Sequence, residues 1–513
     1  MIANLLFLLK IVRVFKRHNV LILIEKNIRY KIIFRLFTFL LAPTTSIKSK
    51  EGIPDGIRIS SALNDLGPSF IKLGQLISTR PDIIGNKIAE DMAMLRDNLP
   101  SFPKAEAISI IEEQFQDKIE NIFQNFSDPI AAASIAQVHF AEIKDGNKTI
   151  PVAVKVLRPN IIETISDEMS RLDWLTNFLE NFRELKRLQL NSVIKKTREI
   201  IRFELDLRYE AAAASELKEN TKNDQSFYVP IIYWEHVAKK VLTTERIDGI
   251  PADKIDDLKH NNIDLINVSH LLIINFLRQA IRDGYFHADL HQGNLFISKT
   301  GNLNAVDFGI MGRLDKKNRR FLAEIIFGFI NQDYYKIAKI HKEAGLIDST
   351  QSIDDFSQAL RSIGEPIINQ KAKDISMGRV LMQLFDITKQ FNMSLQPQLL
   401  LLQKTMIIIE GVARRFNPEI NFWEVSKPEI EKWLKDELGP LAKLKETGEV
   451  LQALDRRVPD IPDFLDRAEN AFDIIIENKV ALKNNNKKIK SSKILLTLAS
   501  GVIALIVTSI LLI

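Results

Sequence analysis

The chain has 513 residues and a mass of 58.6 kDa; at 46% hydrophobic and 26% charged it can bury a sizeable core, and wholesale disorder is excluded. It contains no cysteine, which excludes disulfides, thiol nucleophiles and Cys-ligated zinc or iron–sulfur centres. The net charge of +5 divides into +9 in residues 1–50, +5 in residues 483–493 and −9 in between, so the cations flank apolar ends instead of forming a basic patch on the body: the pattern points to anionic membrane lipids and away from nucleic acid.

Residues 1–45 mix apolar runs with regularly spaced bases (Lys10, Arg13, Lys16, Arg17). The bases follow the first apolar stretch, unlike a secretory signal, and the first serine is Ser46, unlike a serine-rich transit peptide. Two readings remain: an amphipathic helix lying on the membrane, or a helix docked against the body. After a polar linker, apolar spacing predicts helices over 55–125. Residues 126–247 begin with short β-like runs (135–143 and 151–157), return to helical periodicity over 161–218, and read as strands again over 227–247. Residues 248–420 are mainly helical, broken by apolar pieces at 295–297 and 303–306, and 421–482 read as further helices. The run at 494–513, ILLTLASGVIALIVTSILLI, is uncharged for twenty residues. As a helix it spans about 30 Å, the thickness of a bilayer core. With Lys483, Lys487, Lys488, Lys490 and Lys493 before it, the expectation is a transmembrane tail anchor with the body on the cytoplasmic side of a bacterial inner membrane.

The chemistry lies between. Lys155 ends the alternating run PVAVK, a form that in protein kinases brings a lysine to nucleotide phosphates, although a lone strand lysine is usually a solvated one. His287-Ala-Asp289-Leu-His291-Gln-Gly-Asn294 can be read as a metal cluster, as structural histidines, or as a catalytic loop with Asp289 and Asn294 at kinase spacing. Asp307-Phe-Gly309 follows an apolar strand thirteen residues after Asn294. Asn294 and Asp307 offer oxygen ligands to a hard cation such as Mg²⁺. No Gly-x-Gly-x-x-Gly precedes Lys155; the segment there is Ile130, Ala131, Ala132, Ala133, Ser134, Ile135, Ala136, Gln137, Val138.

These features resemble the UbiB-type atypical kinases, protein-kinase-like proteins tied to ubiquinone (coenzyme Q) biosynthesis. The resemblance spans roughly residues 60–420 and rests on LGPSFIKLGQ (Lys72, Gln75), the Ala-rich segment, FELDLRYEAAAA (Glu204, Asp206) and HADLHQGN before DFG. It implies an α+β, two-lobed protein-kinase-like fold with a helical N-terminal extension over the site, and ATP and Mg²⁺ as cofactors. By the same resemblance, residues 130–138, Lys72, Gln75, Lys155, Glu204, Asp206 and Glu210 line the nucleotide pocket, Asp289 is catalytic, Asn294 and Asp307 hold the metal, and Thr244–Ile247 form the adenine hinge. On a single helix Glu204 and Glu210 stand about 240° apart, so which of them pairs with Lys155 stays open. Gln292 replaces a proline usual in the family, and one twenty-residue apolar run is too short to cross a membrane twice. The implied activity is an atypical kinase or ATPase acting on ubiquinone precursors or their biosynthetic enzymes; the alternative is a nucleotide-binding scaffold for those enzymes without turnover.

Overall fold

A computed structural model describes residues 2–26, 53–78, 84–93, 100–180, 190–348, 350–368 and 397–438, with a few positions between 383 and 393. Residues 1–430 form one compact unit and 431–513 a second, of which 431–438 are described. The apolar tail at 494–513 lies outside the described residues, and among these no helix is long and apolar enough to cross a membrane.

The first unit opens with α1 (Ile2–Arg17) and α2 (Val20–Lys26). The spacing of Phe7, Ile11 and Val12 gives α1 one apolar stripe, and all three are buried. Phe7 meets the Phe70 ring at 5.8 Å, Lys10 donates to the Leu66 carbonyl, and His18 bonds Asp65. The stripe is therefore packed on the body, while Leu6 of α1 and Ile22 of α2 stay exposed. Then come α3 (Asp55–Leu66), α4 (Pro68–Ser78) and α5 (Asn86–Ala93), which pack on one another as the helical extension.

Next are α6 (Lys104–Phe115), α7 (Ile119–Ile122), β1 (Pro129–Ala132), β2 (Ala136–Asp145) and β3 (Lys148–Leu157). The three strands make an antiparallel sheet with β5 (Val241–Glu245), in the order β1-β2-β3-β5. Strand alternation sends Val152, Val154 and Val156 into a core shared with Ile110, Ile111 and Phe123 of the α6–α7 segment. Lys155 faces the other way. The chain continues through α8 (Ile161–Leu179), α9 (Leu190–Glu204), α10 (Leu207–Asn220), β4 (Phe227–Tyr228), β5 (Val241–Glu245) and β6 (Ile250–Pro251). The strand expected over 229–235 is instead a bridge at Ile232 followed by a 3₁₀ turn, Trp234–His236.

The helical lobe contains α11 (Ile255–His260) and α12 (Leu265–Leu277), the latter capped by Asp264, which accepts from the Ile266 and Asn267 amides. A π-helical turn, Arg278–Asp283, carries the chain to β7 (Tyr285–His287). Gly284 ends that turn at φ +68°, and a Cβ there would meet the Leu314 carbonyl at 2.5 Å, so the position requires glycine. Strands β8 (Leu295–Ile297), β9 (Leu303–Ala305) and β10 (Met311–Arg313) follow; β8 and β9 lie in a sheet ordered β4-β9-β8-β6, and β10 pairs with β7. Helices α13 (Lys316–Ile330), α14 (Tyr334–Glu343), α15 (Ile353–Ile368), α16 (Pro397–Phe416) and α17 (Phe422–Leu438) complete the described chain. The mix of a strand-rich part and a larger helical part is α+β, as expected.

Candidate active site

Lys155 is the meeting point of the two parts. Its ammonium donates to Glu210 Oε1 at 2.8 Å and Oε2 at 2.9 Å, and to Asp307 Oδ1 at 3.1 Å. Burial works to lower the Lys155 pKa, but Asp307 and Glu210 outweigh it and hold the ammonium charged well above its ordinary range. Burial pushes the Glu210 carboxyl up to about 7 against the pull of Lys155. Asp307 is partly open to solvent, and Lys155, with Lys72 adding to the field, keeps its carboxyl well below the usual range. Glu210 forms the buried end of this cluster at 9% exposure, whereas Asp307 lies at its open side at 43%.

A second pair lies beside it. Lys72 of α4 sits 2.8 Å from Glu204 Oε2, and both side chains are buried, at 9% and 7% exposure. Glu204 ends α9, the helical path is interrupted at Leu205, and α10 starts at Leu207 with Asp206 as its N-cap. The Asp206 carboxylate accepts from the Arg208 amide at 3.2 Å and from its guanidinium at 2.9 and 2.7 Å. Glu204 and Glu210 are thus on two helices rather than one, and each has its own lysine. Gln75 lies on α4 one turn beyond Lys72, half-buried.

The loop after β7 has its peptide groups held one by one. Gln279, on the π-helical turn, accepts from the His287 amide at 3.2 Å. The Ala288 amide donates to the Ile310 carbonyl at 3.0 Å, and the Ala288 carbonyl lies 3.1 Å from the buried Thr405 hydroxyl, whose proton it shares with the Leu401 carbonyl at 2.8 Å. The Asp289 amide donates to His287 Nδ1, and the Asp289 carbonyl accepts from Asn294 Nδ2 at 3.1 Å. His287 then reads as the Nε2–H tautomer, donating to the Val306 carbonyl at 3.3 Å; burial pushes its pKa down and keeps it neutral. What remains pointing outward is the Asp289 carboxylate, 26% exposed. His287 is therefore a buried structural histidine, and among the described residues no group of three or more His, Asp or Glu could hold a metal ion; the metal-cluster reading of His287, Asp289 and His291 is set aside. Gln292 accepts from Arg415 of α16.

Asp307 has φ +62°, a left-handed conformation that few residues other than glycine adopt and that Asp tolerates better than most. Phe308 is buried with its ring 5.5 Å from that of His287, so the loop at 287–294 and Asp307 are packed through their neighbours. The Val306 amide donates to the Asn294 carbonyl at 3.0 Å, setting Asn294 beside the Asp307 segment.

The Ala-rich segment spans the β1–β2 turn. Ile130 is exposed where the register shifts between Pro129 and Ala131; Ala131 pairs with Val138 and Ala132 with Gln137. The Ala133 amide donates to the Ala136 carbonyl at 2.8 Å, closing a turn around Ser134 and Ile135, both buried. Ala136 and Val138 sit opposite Leu157 and Lys155, on the Lys155 face. Gln137 lies on the other face, opposite Val156: its amide accepts from the Phe102 N–H at 2.9 Å and donates to the Phe102 carbonyl at 3.2 Å. Its side chain therefore points away from the pocket to which resemblance assigned it. At the hinge segment, Glu245 accepts from the Tyr228 hydroxyl and the Ile231 amide, and Arg246 stacks 3.9 Å over Phe140.

Arg158, Gln279 and Thr405 support these groups and were not singled out from sequence. Only Arg158 carried a signal, standing three residues after Lys155 at the end of β3.

Residues 94–341 match the ABC1 atypical kinase-like domain, and residues 360–421 the UbiB helical domain. A relative from Pseudomonas aeruginosa PAO1, named "Probable protein kinase UbiB", is 38% identical over 83% of this chain and 79% of its own. One of the same name from Histophilus somni 129Pt is 37% identical over 88% and 85%. A solved structure described as the complex of Rv3197 with erythromycin, from Mycobacterium tuberculosis, aligns with 71% of this chain and 93% of that one at 22% identity, with a TM-score of 0.48. The chain belongs to the UbiB family of ABC1 atypical kinase-like proteins.

Proposed function

We propose that this chain is a membrane-anchored enzyme that uses Mg-ATP to support ubiquinone biosynthesis, acting on lipid-like precursors or on the enzymes that make them. The observation that carries the reading is the contact of Lys155 with both Glu210 and Asp307, which collects β3, α10 and the segment after β9 at one point.

The donor set fits Mg²⁺, which Asn294 and Asp307 would hold. Asn294 spends its amide N–H on Asp289, which leaves its amide oxygen for a cation, and Asp307 stays ionised. One amide and one carboxylate oxygen suit Mg²⁺, which takes its other ligands from phosphates and water. When bound, Mg²⁺ and ATP supply charge neutralisation and the phosphoryl group to be transferred. Lys155 would position the phosphates, and the loop hydrogen bonds would hold Asp289 ready to orient or deprotonate the attacking group. By the family resemblance, Lys72 and Gln75 of the extension would take up space a peptide acceptor would need, which favours water or a small lipid-like acceptor over a protein. The five lysines at 483–493 and the apolar run at 494–513 support anchoring at an anionic membrane with the body on the cytoplasmic face.

The test is equilibrium binding of Mg-ATP and Mg-ADP to the full chain, beside Lys155→Met. Micromolar to millimolar binding that the variant loses supports the reading, and absence of binding in both overturns it. Binding without Mg²⁺-dependent phosphate release would favour the nucleotide-binding scaffold.

A further inference from the structure

Arg158 makes an unusual set of contacts for a residue just beyond a strand. Its guanidinium donates twice to one acceptor, the Ala133 carbonyl, from Nε at 3.1 Å and Nη2 at 2.7 Å. Its backbone amide donates to the Ile135 carbonyl at 2.8 Å. The turn that replaces a glycine-rich loop is thus pinned at two of its carbonyls by one residue, itself three positions from Lys155 on the same run of chain. The guanidinium also lies 5.7 Å from the centre of the Phe102 ring, within cation–π range. Phe102 is buried ahead of α6, and Gln137 brackets its backbone from the strand side. A continuous line therefore runs from the segment ahead of α6 through Phe102 and Arg158 to Ala133.

We propose that Arg158 is a positioning residue for nucleotide binding: it fixes the Ala133 turn in one conformation and ties that conformation to the segment at Phe102. The inference rests on the nucleotide reading above. A phosphate cradle gains affinity when its backbone is ordered before the ligand arrives. A glycine-rich loop lacks that order, and here a side chain supplies it from below. Lysine at 158 would keep the charge but not the fork of two N–H donors, so the two side chains are not equivalent here.

The experiment uses the full chain in lipid nanodiscs, with Mg-ATP and Mg-ADP as probes, and compares wild type with Arg158→Lys, Arg158→Met and Phe102→Leu. Affinity is measured together with hydrogen exchange and thermal unfolding. Arg158→Met is expected to weaken nucleotide binding about tenfold and Arg158→Lys by a smaller factor. The Ala133 and Arg158 amides should exchange faster while those at the centre of β3 keep their protection. That local pattern separates positioning from a general loss of stability. Phe102→Leu, which keeps Arg158, should speed the same two amides to a lesser degree, and it serves if the Arg158 variants do not fold. Unchanged affinity and unchanged exchange at Ala133 in the folded variants would overturn the proposal. If wild type bound no nucleotide, the functional reading would fall, whereas the exchange measurement would still decide whether Arg158 orders the turn.

Discussion

The Lys72 ammonium of the helical extension lies 2.8 Å from the Glu204 carboxylate, and the two are buried together. The extension is thereby joined electrostatically to the end of α9, beside the Lys155–Glu210–Asp307 cluster. Removing one member leaves a buried charge without that partner, which typically costs about 3 kcal/mol or more, whereas removing both costs much less. Lys72→Met and Glu204→Gln should each lower unfolding stability by about that amount, and the double variant should recover part of it. A denaturation double-mutant cycle reads the coupling; strictly additive losses would show that the contact does not join the two elements.

Glu210 predicts a pH dependence of defined sign. Its folded pKa of about 7 lies above the ordinary value of 4.5. The folded protein therefore holds this proton more tightly, and the contribution is complete below about pH 4.5 and lost as pH rises through about 7. Asp307, depressed in the folded state, has the opposite sign: its contribution is present above its ordinary value of 3.8 and lost only as pH falls below it. Urea midpoints between pH 4.5 and 7.5 should fall with a component that Glu210→Gln removes. The same slope in wild type and variant would contradict the assignment.

Ala132→Gly and Ala133→Gly should loosen the β1–β2 turn, since glycine in place of alanine releases about 0.5–1 kcal/mol of backbone freedom. Nucleotide affinity or the preference between ATP and ADP is expected to change by about two- to fivefold. Titrations of both nucleotides read the effect, and identical binding in both variants would count against a role for the turn.

Thr405 predicts a separation of binding from turnover. Thr405→Val keeps the shape but removes the hydroxyl proton that the buried Ala288 carbonyl shares with the Leu401 carbonyl, a loss of about 1 kcal/mol. Because Ala288 precedes Asp289, phosphate release should fall at least tenfold while nucleotide affinity changes less than threefold, and Thr405→Ser should restore activity. A drop in affinity equal to the drop in rate would place the effect elsewhere.

Lys155, Asp289, Asn294 and Asp307 were legible in the sequence because their signals are short-range spacings. Pairings made across space were not. The choice between Glu204 and Glu210 looked like one between two sides of a helix, but Asp206 caps a new helix and removes the choice; an aspartate at that point in an apolar-periodic run was a usable start signal. Gln137 was assigned to the pocket with its neighbours because the parity of β2 against Lys155 depends on strand register, which a single sequence does not contain. The docking of α1 was one of two readings, since an apolar stripe does not say what covers it. Thr405 contacts a loop more than a hundred residues away, and nothing local marks it.

The most direct test is Mg²⁺-dependent phosphate release from ATP by the full chain in anionic liposomes, with Asp289→Asn and Asp307→Asn beside wild type. Release in wild type that falls by at least a hundredfold in both variants is the predicted result. Release that persists in either variant would contradict the roles given to these two carboxylates, and no release from wild type that nonetheless binds nucleotide would contradict the enzyme in favour of the scaffold.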